Sequence, residues 1–152
     1  MKLLLSFLGA ILAVNMISST GEAQEKKISR AKLPPAVEKT VASESAGAKI
    51  KSLATEVDHG QKFYELSLTV DGRGKDILID KNGNVVEVEE QVQMDSLPAA
   101  VQDGLKQAAG SGTIQVIESL TKNGQLVAYE AHVKHGRKRW EIKVGPTGEK
   151  LK

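Results

Sequence analysis

In two stretches of the chain, mainly apolar side chains alternate with mainly polar ones, which is the pattern of half-buried strands. One face of the first stretch carries Tyr64, Leu66, Leu68 and Val70, and one face of the second carries Val127, Tyr129, Ala131 and Val133. The opposite faces carry Phe63, Glu65, Ser67 and Thr69 in the first, and Ala128, Glu130, His132 and Lys134 in the second. We expect the first set to face a core and the second to face solvent or a ligand.

Before each strand stretch the hydrophobic period becomes helical. Val37 and Val41 lie four positions apart after a Leu-Pro-Pro opening, and this helix should end near Gly47. Val101, Leu105 and Ala108 repeat the stripe after a Leu-Pro-Ala opening. Proline suits the first turn of a helix, where its missing N–H would have no partner. Each half of the chain therefore begins with a helix.

Glycine-containing turns separate the strands. They are Asp58-His59-Gly60, Asp71-Gly72 and Asn82-Gly83 in the first half, and Lys122-Asn123-Gly124, His135-Gly136 and Thr147-Gly148 in the second. Such dipeptides favour tight hairpins. Three hairpins in succession predict a four-stranded antiparallel meander in each half.

The two halves are copies of one unit. The run Leu33–Val37 returns 64 positions later as Leu97–Val101, and Tyr64-Glu65 returns as Tyr129-Glu130. The prediction is an α+β protein with two tandem units, 33–92 and 93–152, each a helix packed on a four-stranded sheet, after a polar tail at 24–32. A unit of about 60 residues is marginal alone, so the two units are expected to associate. Their exposed sheet edges suggest edge-to-edge joining, but the sequence does not decide whether the two sheets merge into one.

Residues 1–23 have the pattern of a secretory signal peptide. Lys2 precedes an apolar run from Leu3 to Ile17, and Gly21 and Ala23 are small residues placed for cleavage before Gln24. The alternative is an uncleaved anchor, but the run is short for a span and contains Asn15. We expect a periplasmic or secreted protein that meets the membrane only through the signal peptide before its cleavage.

Composition removes several classes of function. The chain has 152 residues and no cysteine, so disulfides, thiolate metal sites and a cysteine nucleophile are excluded. Its formal net charge of +2 is uneven: residues 33–92 carry seven basic and eleven acidic side chains, or −4, and residues 93–152 carry nine and six, or +3. The split favours docking between units or between copies; divergence after duplication explains it equally well.

Candidate chemistry is sparse. The Asp80-x-Asn82-Gly83-Asn84 segment suggests a calcium loop, but the sixth position is Val85 instead of glycine. The three histidines, His59, His132 and His135, are scattered, and no catalytic or metal residue and no cofactor is predicted. The Gly110-Ser111-Gly112 loop lacks the nucleophile elbow.

One basic hairpin is a candidate contact surface. Arg137, Lys138 and Arg139 follow a turn glycine, and they are either a solvated hairpin or a binding edge. Trp140 alternates with Ile142 and Val144, which places it in the core. Few aromatic residues are available for stacking on bases, and export also argues against nucleic acid.

The tandem pattern resembles a known family. The Leu-Pro-x-x-Val helix start, the Tyr-Glu strand at Glu65 and Glu130, and the glycine turns are similar to PepSY and PepSY-like domains. This resemblance would cover residues 33 to 152 and implies a fold related to the beta-lactamase inhibitor protein. It also implies a non-enzymatic envelope module that binds or restrains peptidases. The second copy has Gly145 where the first has Asp80, so a role for that position does not transfer.

Two functions follow as hypotheses. The first is an exported module that binds a protein, such as an envelope peptidase, through its polar sheet face or turn tips. The contact candidates are Arg137, Lys138, Arg139, Glu65 and Glu130. The second is a sensor or carrier of a small ligand or metal ion held between the units. An enzyme is the third, for which the sequence supplies no constellation, and the oligomeric state is left open.

Overall fold

A computed structural model describes residues 25–151; the signal peptide predicted at 1–23 lies outside them. The described chain has two α-helices and eight strands. The elements are β1 Lys26–Lys27, α1 Pro35–Glu44, β2 Lys49–Asp58, β3 Gln61–Val70, β4 Arg73–Asp80, β5 Val85–Val92, α2 Ala99–Ala109, β6 Thr113–Lys122, β7 Gln125–His135 and β8 Lys138–Val144. The predicted α+β class is confirmed. None of the described helices is long and apolar enough to cross a membrane.

All eight strands form one antiparallel sheet, in chain order. The two halves meet where β5 pairs with β6, from Glu87 opposite Lys122 to Val92 opposite Ile117. We call this pairing the seam. The two sheets, whose merging the sequence left open, therefore join at the edges that each half would otherwise expose.

The eight strands are distributed differently from two sets of four. Strand β1 comes from the polar tail and pairs with β2, at Lys27 opposite Ala54. In the second half the fourth strand is reduced to a bridge between Val144 and Lys150. The sheet thus has four strands from the first half, three from the second and one from the tail.

The hairpin turns have the geometry that the sequence predicts. His59, Asp71 and Asn123 have φ of 47°, 49° and 48°, and each precedes a glycine that also has positive φ. Two successive positive φ values define the type I′ turn, whose twist matches that of antiparallel strands.

Both helices pack on the same face of the sheet. Val37 and Val41 of α1 lie in a core cluster with the predicted inward residues of β3, and Val101 and Leu105 of α2 lie in a second cluster. The buried strand members are Leu53, Tyr64, Leu66, Leu68, Ile77 and Ile79 in the first, and Ile117, Tyr129, Ala131, Val133, Ile142 and Val144 in the second. Trp140 packs against the second cluster, as predicted.

A glycine turn touches each helix. The turn after β4 brings Gly83 against α1, where Thr40 Oγ1 donates a 2.6 Å hydrogen bond to the Gly83 carbonyl. A Cβ on Gly83 would lie 2.5 Å from the Ala36 carbonyl oxygen. In the second half Gly148 lies in the same way against Ala100. Both copies therefore use the glycine for close approach to a helix as well as for its positive φ.

Replacing Gly83 by alanine should destabilise the protein more than replacing Gly72. Both glycines have similar φ, +84° and +79°, but a Cβ on Gly72 meets nothing within 4 Å. We expect Gly72→Ala to cost about 1 kcal/mol from backbone strain and Gly83→Ala about 3 kcal/mol, because its Cβ also displaces α1. Urea unfolding measures both values, and equal losses would show that the approach to α1 is not tight.

Candidate functional site

The second face of the sheet, which neither helix covers, is rich in carboxyl groups. Strand register places Asp76 directly opposite Glu89, and Glu118 directly opposite Glu130. We call the full set the acidic face: Glu56, Glu65, Asp76, Glu87, Glu89, Glu118, Glu130 and Glu141. Like charges directly opposite each other destabilise a sheet, so this arrangement costs folding free energy.

Four of these carboxylic residues are buried although neither α1 nor α2 lies over them. Their exposed fractions are 8% for Glu56, 5% for Glu87, 6% for Glu89 and 7% for Glu130. Between them lies an apolar floor that is also buried, formed by Ala54, Leu78, Leu120 and Ala128.

Two lysines and one histidine pair with carboxyl groups of the acidic face. Lys122 Nζ lies 2.9 Å from Glu87 Oε2, across the seam, and Lys143 forms an ion pair with Glu130. His132 lies between two carboxylates, 3.4 Å from Glu118 and 3.3 Å from Glu141. The hydrogen bond to Glu118 raises the pKa of His132 despite its partial burial.

The carboxyl groups without such partners are strongly perturbed. Burial raises the pKa of Glu89 to about 9, and the negative charges of Glu130, Glu118 and Glu87 add to the effect. Burial and the neighbouring Glu25 raise the pKa of Glu65 to about 7. At neutral pH Glu89 therefore holds a proton and Glu65 is about half protonated. Strongly perturbed groups of this kind are typical of functional sites.

The structure separates the predicted contact residues into two places. Glu65 is half-buried and Glu130 buried, both on the acidic face. Arg137, Lys138 and Arg139 are exposed at the hairpin between β7 and β8. Glu130 lies five residues along β7 from His135 at that hairpin, or about 17 Å. The acidic and basic candidates therefore do not form one compact site.

Most of the acidic face was missed by sequence reasoning. Only Glu65 and Glu130 were singled out, whereas Glu87 and Glu89 are the more deeply buried pair in the first half. A signal was present in β5, where Val86, Glu87, Val88 and Glu89 alternate as a strand with one polar face. Alternation within β5 does not show which residues of the neighbouring strands lie opposite each glutamate. That information comes only from the pairing register of the strands.

The other polar side chains considered in the sequence, two of the histidines and Asp80, contact residues near them in the hairpin turns and loops. His59 pairs with Asp58 at 2.7 Å, and His135 Nδ1 lies 3.0 Å from Ser111 Oγ. Asp80 Oδ1 accepts hydrogen bonds from the backbone N–H groups of Asn82 and Asn84, so this carboxylate stabilises its own turn. Within residues 25–151 no three histidine, aspartate or glutamate side chains converge as a metal site requires.

The fold and the family can now be named. The chain has the architecture of a beta-lactamase-inhibitor-like module, with helices on one face of an eight-stranded antiparallel sheet. The family model described as "Putative beta-lactamase-inhibitor-like, PepSY-like" matches residues 19–87 and 62–152. The protein therefore belongs to the PepSY-like family. None of the curated proteins compared with the chain matches it.

Solved structures share this fold at low sequence identity. A "putative periplasmic" protein from Bacteroides eggerthii has a TM-score of 0.65 at 17% identity, with 79% of this chain and 86% of that chain covered. A DUF2874 family protein from Bacteroides ovatus has a TM-score of 0.62 at 17% identity, covering 80% and 86%. A BLIP-like protein from Bacteroides fragilis has a TM-score of 0.59 at 20% identity, covering 79% and 84%. At these identities the likeness establishes the fold.

Removing the Glu89 carboxyl should stabilise the protein in a pH-dependent way. Because folding raises this pKa from 4.5 to about 9, the unfolded chain loses the proton first as pH rises, and stability falls across that window. Glu89→Gln keeps the shape and removes the titration. We expect it to match the wild type near pH 4.5 and to exceed it by about 3 kcal/mol at pH 7, since each pH unit in this window contributes about 1.4 kcal/mol.

Thermal and urea unfolding from pH 4.5 to 9.5 measure this difference. Asp103→Asn on α2 is the control, since it removes one exposed carboxylate from the other side of the sheet. A gap between Glu89→Gln and wild type that stays constant with pH would contradict a buried, protonated Glu89.

Proposed function

We propose that the protein is an exported, non-enzymatic binding module whose acidic face contacts a protein partner. One observation carries the proposal: the sheet face opposite α1 and α2 retains eight carboxyl groups, several of them buried, at a cost in folding free energy. Such a cost is expected where the groups serve binding. A periplasmic or secreted location is proposed from the signal-peptide pattern.

Membership of the PepSY-like family supports the same function. The family is described as beta-lactamase-inhibitor-like, and an inhibitor protein acts by binding another protein. A broad sheet face suits this role, because specific protein interfaces bury about 800 Å² on each partner. An envelope peptidase is the partner class that the family resemblance implies.

Protein binding is favoured over a small ligand or metal ion. The carboxyl groups are spread over seven strands of one face, from β2 to β8, instead of lining one deep pocket. Spread charge matches a macromolecular surface of opposite sign, which it also steers into place over a Debye length of about 8 Å. The partner surface should therefore be basic.

Charge reversal on the acidic face should weaken partner binding. Glu141→Lys changes an exposed position of this face, and Asp103→Lys makes the same charge change on α2. In affinity capture from an envelope extract, we expect the wild type and Asp103→Lys to retain the same partner. Glu141→Lys should bind it at least tenfold more weakly, because like charges then face each other.

Equal capture by both variants would contradict a role for the acidic face. The narrower peptidase assignment has its own measurement, the rate of envelope peptidases with and without the purified protein. If the protein slows none of these peptidases, the peptidase is rejected as the partner class. The capture experiment then still tests whether the acidic face is a binding surface.

A further inference from the structure

The outer edge of β8 presents backbone groups that no other strand takes up. Leu151 N–H donates a 3.0 Å hydrogen bond to the Lys143 carbonyl oxygen, so the backbone groups of Lys143 point away from β7. Because these groups alternate sides along an antiparallel strand, those of Arg139 and Glu141 also point outward. In the part of the chain that the structure describes, no backbone group pairs with them there. We call residues 138–141 the open edge.

The equivalent edge in the first half carries a strand. Strand β8 corresponds to β4, because each is followed by the glycine turn that touches a helix, at Gly83 and at Gly148. Five residue pairs join β5 to β4, whereas among the described residues β8 has the single bridge between Val144 and Lys150. Val88 of β5 also packs against the core cluster of its half. The repeated unit can therefore accommodate a strand at this place.

Positive charge surrounds the open edge. Arg137, Lys138 and Arg139 are exposed, and Lys134 of β7 lies directly opposite Arg139. None of these four side chains forms an ion pair within residues 25–151. Like charges directly opposite each other destabilise a sheet. An incoming strand with carboxylate side chains would relieve this repulsion.

We infer that the open edge binds an extended acidic segment of a protein partner, which adds a strand to the sheet. Main-chain hydrogen bonds give such a contact its affinity, and alternate side chains give it specificity. A carboxylate of the segment lies opposite Arg139, and an apolar side chain lies beside Trp140, which is half-buried and packs against the second core cluster. The inference goes beyond the proposed function, since it concerns a second surface of opposite charge.

The charges disfavour a second copy of the chain as the occupant. The other outer strand of the sheet is β1, which consists of Lys26 and Lys27. Joining β1 of one copy to β8 of another would bring these lysines against Lys138 and Arg139. Basic side chains on an edge oppose such self-association, and the same side chains attract an acidic strand.

An acidic pentapeptide, acetyl-Thr-Val-Glu-Glu-Glu-amide, is the probe. Antiparallel pairing places its threonine opposite Glu141, its valine opposite Trp140 and its first glutamate opposite Arg139. An NMR titration of isotope-labelled protein gives the affinity, and amide hydrogen exchange reports on single N–H groups. We expect saturating peptide to slow exchange at Arg139 and Glu141 by about fivefold or more, and to leave the Trp140 amide, which faces β7, unchanged.

Two further peptides separate charge from backbone pairing. Acetyl-Thr-Val-Gln-Gln-Gln-amide keeps the shape and removes the charges, so it should bind about tenfold more weakly. N-methylation of the first glutamate removes one N–H donor and should weaken binding about fivefold, as expected for the loss of one hydrogen bond. Equal binding of all three peptides would overturn the inference.

Variants locate the binding place on the protein. Arg139→Gln should weaken binding of the acidic peptide about threefold, and Lys106→Gln, which removes an exposed charge from α2, should leave it unchanged. Glu141→Pro removes an outward N–H and should weaken binding about fivefold, although it also removes a negative charge. Glu141→Gln removes that charge but keeps the N–H, so it should bind at least as tightly as wild type.

Unfolding curves verify that each variant is folded. Proline is accepted in an edge strand where its nitrogen faces solvent. If Glu141→Pro nevertheless fails to fold, Arg139→Gln and Lys106→Gln still decide between the open edge and a nonspecific charge effect.

The outcomes separate this inference from the proposed function. Absence of peptide binding, unchanged exchange at Arg139 and Glu141, or equal weakening by Arg139→Gln and Lys106→Gln overturns the open edge as a binding site. Binding of phosphatidylglycerol vesicles in place of the peptide assigns the basic side chains to an anionic membrane and also overturns it. A partner captured by Arg139→Gln but lost by Glu141→Lys supports the acidic face independently of the open edge.

Discussion

The seam between β5 and β6 is the interaction on which the rest of the structure depends. Six residue pairs join the two halves, from Glu87 opposite Lys122 to Val92 opposite Ile117. Without this pairing each half would be a small sheet with an exposed edge and a core of marginal size. With it, two helices pack on one side of a continuous sheet, and the other side becomes a single broad surface. The acidic face exists only because the seam is closed.

Local rules account for most of the fold. The helices follow from the spacing of Val37, Val41, Val101 and Leu105 after prolines, and the hairpins follow from turns such as Asn123-Gly124. The inward strand residues follow from alternation. These features depend on residues close together in sequence, so they were predictable without knowledge of the tertiary structure.

Features that depend on distant residues were not predictable in the same way. Strand β1 has only two residues and gains its place from pairing with β2, at Lys26 and Lys27. The final strand of the second half is reduced to the bridge at Lys150. The opposition of Asp76 and Glu89 requires the register of a hairpin that a bulge interrupts after Leu78. Periodicity places each carboxylate on a face, but it does not determine its neighbours.

The difference in net charge between the two halves is reflected in the ion pairs of the acidic face. The three basic side chains that pair with its carboxyl groups, Lys122, Lys143 and His132, all come from the second half. Lys122 crosses the seam to Glu87, so one attraction between the halves operates within the chain. That contact is consistent with docking between units as one origin of the charge split.

The cations do not extend to the rest of the first half. Glu56, Glu65, Asp76 and Glu89 have no basic side chain within 4 Å among the described residues. Substituting such buried acids by apolar residues of similar volume is often neutral or stabilising in proteins. Their presence on the face opposite α1 and α2 is therefore not required by folding, and it is what the proposed binding of a basic protein partner would explain.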